Sequence, residues 1–207
     1  MFQIVLTLLA ATVLFSPTSY AGDATPTLST TALENGPGAL WVNPANIAFD
    51  PDLRYGVWTH QNNMRDWPTS IATAFGFGSS SLGFRADMQE GINTTSIDYA
   101  TSISFSDVLN YGTRVSWNTS GETLTSTSFE MGLSYRPKYW YGLSFTAANL
   151  GKPLPSHEPR MTTGIALRPI GQRLTLGVDS SYTLASTDDG GFSMNGAALV
   201  HRAVVQV

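Results

Sequence analysis

The chain of 207 residues has no cysteine, only two lysines (Lys138 and Lys152), and a charged fraction of 13%. Without cysteine, neither a disulfide framework nor a cysteine-ligated metal centre is open to it. The charge is about half the roughly 25% of an average soluble domain. No apolar run approaches the ~20 residues that a membrane-spanning helix needs. The net charge of -4 and a pI near 5.2 leave no basic stripe for nucleic acid. Disorder is excluded by 11% aromatic residues and a small net charge. Catalytic chemistry is sparse. No nucleophile-elbow motif occurs, and Ser79-Ser80-Ser81 reads as a turn. His60, His157 and His201 are far apart, without ligand spacing. Asp188-Asp189-Gly190-Gly191 lacks the alternating acidic spacing of a calcium loop and reads as a hairpin turn. No catalytic residue, metal or cofactor is expected, and the chain does not read as an enzyme.

What fills the missing charge is small and polar: 46 serines and threonines and 19 glycines. At the N-terminus, Ile4 to Phe15 form a short apolar run, broken by Ser16-Pro17. Ser19-Tyr20-Ala21 then supplies small residues at -3 and -1 of a cleavage site. The pattern is that of a signal peptide over residues 1–21, although the first residues lack Lys and Arg. Residues 22–52 are punctuated by Pro26, Pro37, Pro44 and Pro51, which forbids long regular elements. This segment reads either as a lead-in to the first strand or as a plug tucked into a larger structure.

From residue 53 to 207 the period is two. Ile71, Thr73, Phe75 and Phe77 oppose Ala72, Ala74 and Gly76. Leu82, Phe84, Ala86 and Met88 oppose Gly83, Arg85 and Asp87. The same alternation runs through Ile97–Phe105, Tyr111–Trp117, Phe129–Tyr135, Tyr141–Ala147, Met161–Leu167 and Leu174–Tyr182. It predicts about ten strands, the first near 53–61 and the last near 192–205. Short turns are expected at Arg136-Pro137 and Pro169–Gln172. Longer loops are expected at Met88–Thr94, Asn118–Glu122, Gly151–Pro159 and Ser186–Gly190.

A soluble β-sandwich alternates too, but its outward polar face usually carries Lys and Glu. Here that face holds Gly, Ser, Thr, Ala and isolated charges, which favours an antiparallel transmembrane β-barrel with an apolar outer wall and a polar lumen. The charges Arg85, Asp87, Asp98, Arg114, Glu130, Arg168, Arg173 and Asp179 all fall on the polar side and are expected to line the lumen. In lipid, each Arg at mid-depth would cost about 2–4 kcal/mol. They read first as salt-bridged pairs across a filled interior, such as Arg85 or Arg114 with Asp98. The alternative is that they line a conduit or hold the N-terminal plug.

Three stretches carry a family resemblance. Gly38-Ala39-Leu40-Trp41-Val42-Asn43-Pro44-Ala45 resembles the "ALYWNPAG" signature of outer-membrane barrels similar to the long-chain fatty-acid transporters and the type IX secretion shuttle barrel. Gly142–Gly151 is similar to that group's "GLAxxNLG" strand, and Arg160–Tyr182 to the strand pair that follows. Trp41 sits one place earlier than the signature's Trp, and Asn46 stands where Gly is usual. The resemblance implies a bacterial outer-membrane barrel that acts as a transporter or porin-like protein for hydrophobic small molecules. Its partners would be outer-membrane lipid and the barrel-assembly machinery. Leu40, Trp41, Asn43 and Pro44 would be its ligand or plug residues. The group's barrels have about fourteen strands, so about ten would be an incomplete set. A non-transporting anchor or scaffold barrel, linked to secretion or to a peptidase, and a secreted β-sandwich are the alternatives.

Overall fold

The computed structural model describes residues 30–60, 69–89, 92–120, 123–152, 159–169, 174–186 and 192–205. The signal segment, His157, Arg173 and the Asp188–Gly191 turn lie outside them. Among the described residues two short helices come first: α1 (Ala39–Val42) and the 3-10 helix η1 (Pro44–Phe49). Ten described strands follow: β1 (Arg54–His60), β2 (Ser70–Phe77), β3 (Ser80–Gln89), β4 (Ile92–Ser106), β5 (Leu109–Ser120), β6 (Thr123–Lys138), β7 (Tyr141–Lys152), β8 (Arg160–Leu167), β9 (Leu174–Ser186) and β10 (Phe192–Val205). They form one antiparallel meander in strict chain order. The all-β class and the antiparallel pairing expected from the period of two are both present. Two sheets packed through apolar faces, as a sandwich requires, are not the arrangement of the described strands.

Barrel closure is not present either: among the described residues the sheet is open, and β1 and β10 are its unjoined edges. Closure requires tilted strands and a fixed stagger of their register. Among the described residues β1 has seven residues and β10 fourteen, and no ladder joins them.

Several connections differ from the sequence expectation. β3 and β4 run to Gln89 and from Ile92, and β5 and β6 to Ser120 and from Thr123, so two expected loops are mostly strand. The Gly78-Ser79 turn, with Gly78 at φ 54°, leaves Ser80 and Ser81 in β3. Pro137 lies inside β6 rather than at a turn. The register shifts between Tyr135 and Lys138 there, and such an irregularity tolerates a residue without an N–H. The chain reverses two residues later, at Tyr139-Trp140.

The alternation sorts the side chains inversely to a soluble protein. Phe75, Phe77, Leu82, Phe84, Ile97, Tyr99, Ile103, Phe105, Leu133, Ile165 and Val178 are exposed on one face. The opposite face is buried and carries Ser81, Ser96, Asp98, Ser102, Arg114, Ser116, Glu130, Ser134, Ser144, Thr162 and Asp179. What buries it is residues 30–50. The apolar core is accordingly small and lies between that segment and the sheet: Ala39, Leu40, Trp41 and Ile47 against Ala72, Ala74 and Ala100, with a second group of Ala32, Leu33 and Ala166. Full burial of Leu40 and Ile47 contributes about 1.5–3 kcal/mol each.

The sheet curls around this segment. Trp41 packs edge-on against Trp58 of β1, with ring centroids 5.2 Å apart, and also bonds Asp98 of β4. Thr31 bonds both Ser144 of β7 and Asp179 of β9. In a flat sheet, strands three places apart are separated by about 14 Å, too far for one indole to reach both.

Candidate functional site: the segment on the polar face

The local sequence builds the segment. Asn43 is extended (φ -162°, ψ 108°), as a residue before proline prefers. Its Oδ1 accepts a hydrogen bond from Ala45 N–H at 3.0 Å, capping η1, and Pro44 takes the first helical position, where no N–H is needed. The Asn43 Nδ2 group donates to the Thr31 carbonyl at 3.0 Å and to the Leu133 carbonyl at 3.3 Å. Asn46 Nδ2 donates to the same Thr31 carbonyl at 2.9 Å. One motif thus folds the segment back on itself and fastens it to β6.

The glycines of the buried face make room for it. A Cβ on Gly83 would overlap Leu40 and Trp41. One on Gly112 would meet the backbone of Pro44 and Ala45, one on Gly132 the Asn43 side chain, and one on Gly177 Thr30. These four glycines lie on β3, β5, β6 and β9. On Gly164 of β8, a Cβ would meet Thr31 and Asp179.

Three polar clusters hold the segment. At the centre, the Asp98 carboxylate is wholly buried and accepts from Trp41 Nε1 at 2.9 Å, from Ser96 Oγ at 3.2 Å and from Ser116 Oγ. Arg85 Nε lies 3.4 Å from it and Arg114 Nε 3.9 Å. Arg114 also pairs with Glu130 at 2.6 Å and donates to the Leu40 carbonyl at 3.2 Å. Arg85 approaches the face of the Trp41 ring, 5.9 Å from its centroid. The charges therefore alternate in sign from β3 to β6 (Arg85, Asp98, Arg114, Glu130) with the Trp41 indole set among them. Such a chain is tolerable in a buried setting only because each charge has an opposite neighbour and hydrogen bonds.

The second cluster is Asp179, which accepts from Thr31 N–H at 3.0 Å and from Thr31 Oγ1 at 2.9 Å. The third is a clasp on backbone carbonyls. Arg136 Nε donates to the Ala32 carbonyl at 2.8 Å, its terminal nitrogens reach Asn35 Oδ1 and the Glu34 carbonyl, and its guanidinium lies 4.1 Å from the Phe49 ring centroid. Arg168 Nη2 donates to the Leu33 carbonyl at 3.1 Å. Arg54 ties the far end, donating to the Ile47 carbonyl at 2.8 Å and the Gly78 carbonyl at 3.0 Å.

The residues singled out in the sequence are thus placed as follows. Leu40, Trp41, Asn43 and Pro44 are buried against the polar face. Arg85, Asp98, Arg114 and Glu130 meet in one cluster, with Asp98 paired to both arginines, as the register suggests. Asp179 and Arg168 hold the segment's start. Asp87 is half-buried on the same face, and Arg173 lies outside the described residues. Sequence reasoning missed Thr31, Asn46, Arg54 and Arg136. Arg54 carried a readable signal, since it falls on the polar parity of the first strand. Arg136 did not, because Pro137 made its surroundings look like a turn. His60 and His201 lie in β1 and β10, and no group of three metal-ligating side chains occurs among the described residues. No described helix is long and apolar enough to cross a membrane.

Comparison of the chain with protein-family profiles, curated proteins and solved structures finds no match, so the resemblance rests on the three motifs alone.

Proposed function

We propose that this chain is an integral β-barrel protein of the bacterial outer membrane, with residues 30–50 as its internal plug, serving the passage of hydrophobic small molecules in the manner of a porin-like transporter. One observation carries the membrane reading: large apolar side chains stand exposed along successive strands while charged and hydroxyl side chains are buried behind them. In water this arrangement is costly and adhesive; in a bilayer it is the stable one. The curl of the sheet supports a barrel, with its edges joined to each other or through further strands, as in the fourteen-stranded group the motifs resemble. Lipid and the assembly machinery are its expected partners.

Passage is the part that rests on resemblance. The segment fills the polar face at Leu40, Trp41, Asn43 and Pro44, so solute movement requires the segment to yield. Replacing Trp41, Asn43 and Pro44 together with Gly or Ser should raise flux of an apolar solute or ion conductance in liposomes. Unchanged flux would sink the transport reading.

A second reading, a non-transporting anchor or scaffold barrel, is favoured by how thoroughly the segment is fastened, from Thr30 against β9 to Ile47 bonded by Arg54 of β1. It predicts no flux in either protein.

A further inference from the structure

Three side chains buried between η1 and the wall each carry an atom without a hydrogen-bonding partner among the described residues: Asn46 Oδ1, Asn110 Oδ1 and Ser134 Oγ. The residues are 0%, 1% and 1% exposed. Asn46 belongs to η1, Asn110 to β5 and Ser134 to β6. Buried polar atoms are nearly always paired, because an unpaired one forfeits its hydration without return. The orientation of the Asn46 amide is fixed: its Nδ2 donates to the Thr31 carbonyl, so Oδ1 is the atom left over. Asn46 is also where the segment departs from the signature it resembles, which has Gly there.

The three groups are brought together from both sides. Asn110 and Ser134 face each other in the β5–β6 ladder, so their side chains leave the same face about 4.5–5.5 Å apart. The start of η1 lies over the next inward pair: a Cβ on Gly112 would meet Pro44 and Ala45, and one on Gly132 the Asn43 side chain. Asn43 and Asn46 both donate to the Thr31 carbonyl, which puts the two amides on one side of the segment. The Thr31 hydroxyl in turn bonds Ser144 Oγ, and Ser144 faces Ser134 in the β6–β7 ladder. These constraints set the Asn46 amide beside the Asn110–Ser134 pair.

The atoms also specify what fits. Two amide oxygens can only accept, and the serine hydroxyl can donate. A molecule that satisfies all three donates two hydrogens and accepts one. Water does so, in the three-bond pattern usual for buried waters. The charged side chain next along this face of β6 is Arg136, two residues on, whose guanidinium lies under the segment. A cation is therefore disfavoured. From these observations we infer that Asn46, Asn110 and Ser134 form a binding site for one water molecule, which joins η1 to β5 and β6 and completes the hydrogen bonding of the segment's seat. The site rests on the packing of the segment against the sheet, and on neither the membrane nor the transport reading.

The test is magnetisation transfer from water to side-chain amide protons in the full-length protein, labelled with 15N-asparagine and folded in deuterated micelles. Asn43 is the internal control, because its amide is spent on Ala45 N–H and on the Thr31 and Leu133 carbonyls. The expected result is a water cross-peak at Asn46 and at Asn110, with the sign of a long-lived contact, and none at Asn43. Ser134→Ala should keep both cross-peaks, since two amide oxygens still hold the water. Exchanging potassium for N-methylglucamine in the buffer should leave the shifts of both amides unchanged. No cross-peak at Asn46 and Asn110 would mean a dry contact and overturn the site. Equal cross-peaks at Asn43 would mean general hydration of the segment, which overturns a discrete site. Loss of both in Ser134→Ala would trace them to the serine hydroxyl, and shifts that follow potassium would make the occupant a cation; either result overturns the water.

Discussion

Ile97 and Asp98 are consecutive residues of β4 with opposite fates: Ile97 is 50% exposed and Asp98 is wholly buried. A soluble protein would do the reverse, because removing a Leu- or Ile-sized side chain from water contributes about 1.5–3 kcal/mol whereas an unpaired buried carboxylate is strongly destabilising. The inversion holds across the strands whose side chains are described, and the two faces obey different rules. On the exposed face, the large side chains are apolar or aromatic and bear no charge. On the buried face, they are small or charged, and they bond both to one another and to named atoms of residues 30–50. The difference shows that the polar face is an interaction surface already occupied by the chain's own N-terminal segment. The exposed face asks only for an apolar environment.

Substitutions break this comparison to different degrees. The largest effect is expected at Asp98. Asp98→Ala strands Arg85 and Arg114 and removes the acceptor of the Trp41 indole. Breaking a buried pair in this way costs about 3–5 kcal/mol, which unfolding in detergent should register as a lower denaturant midpoint. On the other face, Phe84→Arg should cost about 2–4 kcal/mol in a bilayer if that residue lies near mid-depth, and much less in a micelle. Equal costs in the two media would count against the lipid assignment.

Next comes Gly112→Val, which drives a side chain into the Pro44-Ala45 backbone. Overpacking of this kind costs about 1–3 kcal/mol, and partial release of the segment should show as proteolysis near Leu40. The neighbouring Thr113→Val, on the opposite face, should stay within about 0.5 kcal/mol of the parent. An effect of similar size to that of Gly112→Val is expected from Trp41→Phe, which keeps most of the ring but loses the hydrogen bond to the Asp98 carboxylate, about 1.5–3 kcal/mol. A cost equal to that of Asp98→Ala would mean that the ring packing, not the carboxylate, organises the cluster.

Much of the fold was legible because a period of two is a local property. Strand order, the sides of the charges and the pairing of Asp98 with Arg85 and Arg114 follow from parity and register. Closure was not legible, since it depends on how the two edge strands match. Nor was the path past Pro137, where a bulge absorbs a residue that reads as a turn signal. The candidate site was half legible. Leu40, Trp41, Asn43 and Pro44 stood out as a compact apolar motif among prolines, but Thr31 is 148 residues from Asp179, and no local pattern connects them. The glycines were visible as small residues on the polar side. That Gly83, Gly112 and Gly132 are small so that another segment can lie on them is a tertiary fact, readable only once Leu40, Pro44 and Asn43 are seen against them.

The most direct test of the account is a spin-label scan of β4 from 96 to 105 in the reconstituted protein, reading accessibility to oxygen, which concentrates in hydrocarbon, and to a water-soluble nickel complex. The account predicts a period of two, with oxygen maxima at 97, 99, 103 and 105 and low accessibility to both reagents at 96, 98, 100 and 102. Nickel maxima at 97, 99, 103 and 105, or no alternation at all, would contradict it.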